Sequence, residues 1–114
     1  MGRADRDPRL TALAESFRAY VERQGRVADL KAARVDRYEN PIATVALRRD
    51  GTVESVQFTR SSGVPAIDDA IRRVVMELAP FAPFPPDVAM DYDVIEIRRV
   101  WTFDIALRLF PAGP

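Results

Sequence analysis

The chain has 114 residues, enough for one small domain with an appended element and too few for two ordinary ones. Hydrophobic residues make up 47% and charged residues 30%, so there is material for a core and too much of it for disorder. Seventeen basic side chains balance seventeen acidic ones, which argues against a phosphate-tracking surface and so against nucleic acid as a partner. With no His and no Cys, an imidazole base, a thiol nucleophile, a Cys/His zinc site and a disulfide framework are all excluded.

No apolar run approaches the roughly 18 residues of a membrane span, and Met1 to Arg9 lacks the hydrophobic region of a signal peptide. The absence of Cys suits the cytosol and an oxidising compartment alike. Leu10, Leu13, Phe17, Tyr20 and Val21 are spaced along one face of a helix that Asp7 caps, Pro8 begins and Gly25 ends. Arg26 to Asn40 reads either as a second short helix or as an extended linker. Residues 1–40 are therefore taken as an N-terminal helix and linker, and 41–114 as the folded domain.

Thr44 to Arg48 and Val53 to Arg60 alternate in polarity around Asp50-Gly51, which predicts a hairpin closed by a tight primed turn. Ala43, Val45 and Leu47 share one face of it. After Ser61-Ser62-Gly63, the three-four spacing of Ile67, Ala70, Ile71, Val74, Val75 and Leu78 predicts a helix with Asp68 and Asp69 solvated in its first turn. Those acids point about 100° apart and do not converge on a metal or a substrate. Asp87, Asp91 and Asp93 lack the glycine and closing glutamate of a calcium loop, so no metal site and no cofactor is assigned.

Closely spaced prolines make Ala79 to Pro86 an extended connector, pinned to the core by Phe81 and Phe84. A strand follows from about Val94 to Phe103, with Ile95, Ile97, Trp101 and Phe103 on one face and Arg99 interrupting it. Its parity continues through Ile105, Leu107 and Leu109, so it either runs on or turns near Asp104 into a short terminal strand. The assembly is an α+β fold: a small antiparallel sheet of about three strands, ordered helix-strand-strand-helix-strand, with helix on one face and a short extra C-terminal strand as an option.

Val45 to Val56, Arg60-Ser61-Ser62-Gly63, Ile67-Asp68-Asp69-Ala70, Ala79 to Pro86 and Ile95 to Phe103, in that order and spacing, resemble the C-terminal domain of TonB-family energy transducers. The likeness runs from about Thr44 to Phe103. It implies a non-enzymatic periplasmic module, carried on an inner-membrane anchor and a proline-rich spacer. Such a module receives an extended peptide from an outer-membrane transporter on the exposed edge of its last strand. Here that edge is Val94, Ile95, Glu96, Ile97, Arg98, Arg99, Val100 and Trp101. Arg98 and Arg99 either steer the ligand or stand solvated, and Trp101 reads as a core anchor.

The sequence departs from the family in three places. Tyr38 and Pro41 stand apart where the family carries an adjacent Tyr-Pro pair. The anchor and spacer that reach the inner-membrane motor are not within these 114 residues. A tail from Ile105 to Phe110 extends past the family's usual end, where it either pairs back onto the last strand and covers the docking edge until displaced, or mediates a homodimer. Two alternatives stand beside the transducer: a TolA-like envelope-integrity module, and a self-associating scaffold joined through the Leu10 to Val21 helix or the tail.

Overall fold

In the computed structural model, which describes residues 2–3, 7–25, 38–102 and 107–112, helix α1 spans Pro8–Gln24. Asp7 caps it by accepting the Arg9 backbone N–H at 2.9 Å, and Pro8 stands in the first turn, where a missing donor costs nothing. The chain leaves α1 through Gly25 with extended rather than left-handed backbone (φ −66°). The second helix or linker expected over Arg26 to Asn40 falls, as far as Arg37, outside the described residues.

Two long strands, β2 (Ile42–Arg48) and β3 (Val53–Arg60), form the expected hairpin. Its turn is not a primed one, which needs positive φ at the first central residue: Gly51 N–H donates to the Arg48 carbonyl at 2.9 Å, so Arg49 and Asp50 are the central pair, both at negative φ, and Gly51 follows at 85°. Asp50 stays at negative φ and accepts the Thr52 backbone N–H at 3.0 Å. Gly51 is buried because the connector crosses it: Phe81 N–H donates to the Gly51 carbonyl at 2.8 Å and Phe84 N–H to the Arg49 carbonyl at 2.9 Å. Phe81 and Phe84 are buried on the core, as expected of a pinned connector.

Helix α2 (Pro65–Leu78) buries Ile67, Ala70, Ile71, Val74 and Val75. Asp68 overturns the expectation of a solvated acid. It is buried, and it accepts the Ser62 backbone N–H at 3.0 Å, the Ser62 hydroxyl at 2.7 Å and the Ser61 hydroxyl. Val64, at the N-cap, makes no side-chain cap bond, so Asp68 holds the preceding loop from inside the first turn. Asp68→Ala would leave the buried Ser62 N–H without its acceptor and release both hydroxyls, and is expected to cost roughly 1–3 kcal/mol, with Asp68→Asn recovering part, as read by urea unfolding.

A short helix not foreseen among the prolines, α3 (Pro86–Asp91), begins as soon as their run ends, with Pro86 in its first turn. Arg9 on α1 reaches it, 2.9 Å from the Asp91 carboxylate and 3.1 Å from the Asp87 carbonyl. Tyr92 donates its hydroxyl to Asp7 at 3.2 Å. Bonds from the Arg9 side chain and backbone, with Tyr92 assisting, hold Asp7 at a pKa of about 2 against 3.8 ordinarily. A carboxylate depressed in the folded state stabilises it fully above pH 3.8, and that contribution is lost as pH falls towards 2. Thermal midpoints taken across this acid range should therefore fall more steeply for the native chain than for Asp7→Asn.

The last long strand, β4 (Val94–Thr102), pairs antiparallel with β2, and two short strands complete the sheet. These are β1 (Gly2–Arg3) and β5 (Arg108–Pro111). The order is β1-β4-β2-β3, with β5 also on β4, so the described residues hold the three long strands expected, the optional short C-terminal one, and a two-residue strand at the N-terminus besides. Register places Ala43, Val45 and Leu47 of β2 between Phe58, Val56 and Val53 of β3 and Arg99, Ile97 and Ile95 of β4. That face packs with both α1 and α2 into one core. Thr44, Ala46, Ser55, Gln57, Glu96 and Arg98 lie on the other face.

Candidate functional site

The eight residues expected to dock a partner, Val94 to Trp101, all lie on β4. Ile95, Ile97, Arg99 and Trp101 alternate as buried positions, and Val94, Glu96, Arg98 and Val100 as half-buried ones, so neither row of side chains stands free of the sheet. What the strand offers is its backbone. One side of it is taken by β2 over Val94 to Val100.

The other side is the edge expected to be bare, and it is largely sealed. Gly2 and Arg3 of β1 run parallel to it opposite Ile95 and Glu96. Strand β5 runs antiparallel opposite Arg99, Val100, Trp101 and Thr102. Of the two courses open to the tail, it therefore turns back onto β4. Phe103 to Ala106, which include the expected turn at Asp104, lie outside the described residues. Between the two covering strands, Ile97 and Arg98 face no strand among the described residues.

The two covers are unequal. Strand β1 is two residues long. Strand β5 carries Leu109, which with the preceding Leu107 is 2% exposed in the common core, and its Leu109 N–H donates to the Glu22 carboxylate of α1 at 2.9 Å. Burial of each leucine is worth about 1.5–3 kcal/mol, whereas a main-chain hydrogen bond nets about 0.5–1.5 kcal/mol. Among the described residues, the apolar hold on the edge is thus at its C-terminal half.

Arg99 is not a solvated surface arginine: it is 9% exposed on the helix-facing side and donates to the Arg98 carbonyl at 2.7 Å. Arg98 lies at the uncovered position of the edge, with its Nε buried and unbonded among the described residues. Trp101 is 1% exposed, as a core anchor should be.

A groove of about 600 Å³, not foreseen from sequence, lies between α1 and the proline connector. Leu13, Phe17, Tyr20, Pro80, Phe81 and Pro83 are among its walls, and the Phe17 and Phe81 rings pack 4.9 Å apart. The apolar stripe of α1 was legible; that the connector would lie alongside it was not. Among the described residues no group of three or more acidic, His or Cys side chains is placed to hold a metal.

The domain is thus a hairpin, a helix, a proline connector and a long strand whose outer edge is finished by short segments. The sequence profile described as TonB C terminal matches residues 16–98. The chain belongs to the TonB C-terminal domain family. Its role is thus of the TonB type and connected with transport, in a family whose domains are non-enzymatic, periplasmic in general and associated with outer-membrane transporters. No curated protein and no solved structure shows a significant match to the chain. The family match takes in the second half of α1 and stops within β4, so it includes neither β1 nor β5. Among the described residues no helix is long and apolar enough to cross a membrane.

Proposed function

We propose that the domain couples inner-membrane energy to outer-membrane transport by pairing an extended transporter peptide with the outer edge of β4. Through an anchor and spacer elsewhere in the full-length protein, it is tethered in the periplasm and joined to the motor. One observation supports the docking site: two short, separate strands of opposite direction finish that edge and leave Ile97 and Arg98 facing no strand among the described residues. An edge that accepts both a parallel and an antiparallel strand has the geometry for a third, and a peptide of four or five residues makes more ladder bonds than the two-residue β1 it replaces.

The peptide therefore pairs first over Val94 to Arg98, displacing β1. Arg99, Val100 and Trp101 join the interface only when β5 is released. Hydrogen bonds of about 0.5–1.5 kcal/mol each, loaded side by side along the strand, suit a contact that must hold under pull. Titrating an extended peptide from a transporter N-terminus into the isotope-labelled chain should move the backbone amides of Ile95 to Arg98 most. If no amide between Val94 and Trp101 moved at saturating peptide, the docking site would be refuted.

A further inference from the structure

Two charged residues of β4, Glu96 and Arg98, lie on the sheet face away from the helices without a countercharge. Both are half-buried, and neither side chain makes a hydrogen bond or ion pair among the described residues. The Nε of Arg98 is shielded from solvent with no acceptor there. Strand β2 sets Ala46 beside Glu96 and Thr44 beside Arg98, and β3 continues those rows with Ser55 and Gln57, so no opposite charge comes from across the sheet. Other arginines of the sheet and its hairpin are served: Arg48 lies 3.9 Å from Glu54, Arg49 pairs with Asp93, and Arg60 donates to the Asn40 carbonyl at 2.6 Å. The outer edge is the remaining side from which complements can come. There β1 already places a basic residue, Arg3, at the register position opposite Glu96.

We propose that Glu96 and Arg98 read the charge order of the docked transporter peptide: a basic residue stands opposite Glu96 and, two places further along the peptide, an acidic residue stands opposite Arg98. This rests on the docking edge proposed above. The direction follows from β1, whose place the peptide takes. There Gly2 faces Ile95 and Arg3 faces Glu96, so a peptide that keeps this direction and register reaches Arg98 two residues after Glu96. Residues two apart share one face of a strand, so both peptide charges fall on the same side of the sheet as Glu96 and Arg98. The residue between them turns to the helical side, beside Ile97. Opposite charges facing across a ladder attract and like ones repel, and partial burial reduces the screening of both effects. The reverse order, acid before base, sets like charge against both side chains. Backbone bonds alone do not tell one extended segment from another; the charge pair gives the edge a preference.

Capped synthetic peptides of threonine and valine, alike except for the order Lys-Val-Glu or Glu-Val-Lys at their centre, test this by titration into the isotope-labelled chain at low salt. The native chain should bind the Lys-Val-Glu peptide about tenfold more tightly, and the preference should shrink as salt rises. The double reversal Glu96→Lys with Arg98→Glu should invert the preference. Each protein's two affinities are compared with one another, so a change in how β1 covers the edge, or in overall stability, cancels. The native comparison and its salt dependence need no variant and stand on their own. Equal affinities for the two peptides, tighter native binding of Glu-Val-Lys, or a double variant that keeps the native preference would each overturn the charge reading while amides between Val94 and Trp101 still move, leaving the docking edge in place. If neither peptide moved any of those amides, the docking edge itself would fall and this reading with it.

Discussion

Gly51→Ala is expected to be the most damaging single methyl group that can be added to this domain. The residue sits at φ 85°, where a side chain costs about 1–2 kcal/mol. A Cβ there would also lie 1.9 Å from the Phe81 carbonyl oxygen, a contact that only backbone movement can relieve. Moving that backbone breaks the bonds from Phe81 and Phe84 to the hairpin and lifts two buried rings from the core. The sum should exceed about 4 kcal/mol, a large share of a small domain's stability. Gly63 provides the control, since it has φ 84° but no atom within 4 Å of its Cβ position. Urea unfolding should show Gly63→Ala losing only the cost of the left-handed backbone. Equal losses at the two sites would mean that the connector does not press on the hairpin as described.

Leu109→Ala should have an effect of similar size on stability and an opposite one on binding. Leu109 is 2% exposed and faces Trp101 across the β4–β5 ladder, so its truncation should cost about 2–5 kcal/mol. Strand β5 is only four residues long, and much of its hold on the edge is this side chain together with the bond from Leu109 N–H to Glu22. Its loosening should uncover the backbone of Arg99 to Thr102. Trp101 is the single tryptophan, so a red shift of its emission reports the event directly. If β5 competes with the transporter peptide for β4, the variant should bind that peptide more tightly than the native chain. Unchanged or weaker binding, with Trp101 emission shifted, would show that β5 and the peptide use different parts of the edge.

Residues near one another in the chain made most of the architecture legible. The stripe from Leu10 to Val21, the cap at Asp7, the alternation on both sides of Asp50-Gly51 and the three-four spacing from Ile67 to Leu78 each express one period, and each became the element it implied. The prolines from Pro80 to Pro85 likewise imposed an extended path, because they deny the backbone its donors, and the helix at Pro86 starts only where their run ends. Inaccurate expectations came where contacts that no periodicity encodes decide the outcome. Asp68 looks like any acid opening a helix until Ser61 and Ser62 fold over it. Asp-Gly is compatible with several turns, and the connector bonded across Gly51 accompanies the one adopted here.

The docking edge shows the same division most clearly. That Val94 to Trp101 form a strand, and that Trp101 points inward, was determined by the sequence itself, since alternating polarity is a local property of a pleated chain. Whether that strand would have a free side was decided only in three dimensions. It depends on Gly2 and Arg3 arriving from the far end of the chain, and on Leu107 and Leu109 finding room beneath α1. No periodicity encodes such meetings, because a backbone donor carries no mark of which distant carbonyl will satisfy it.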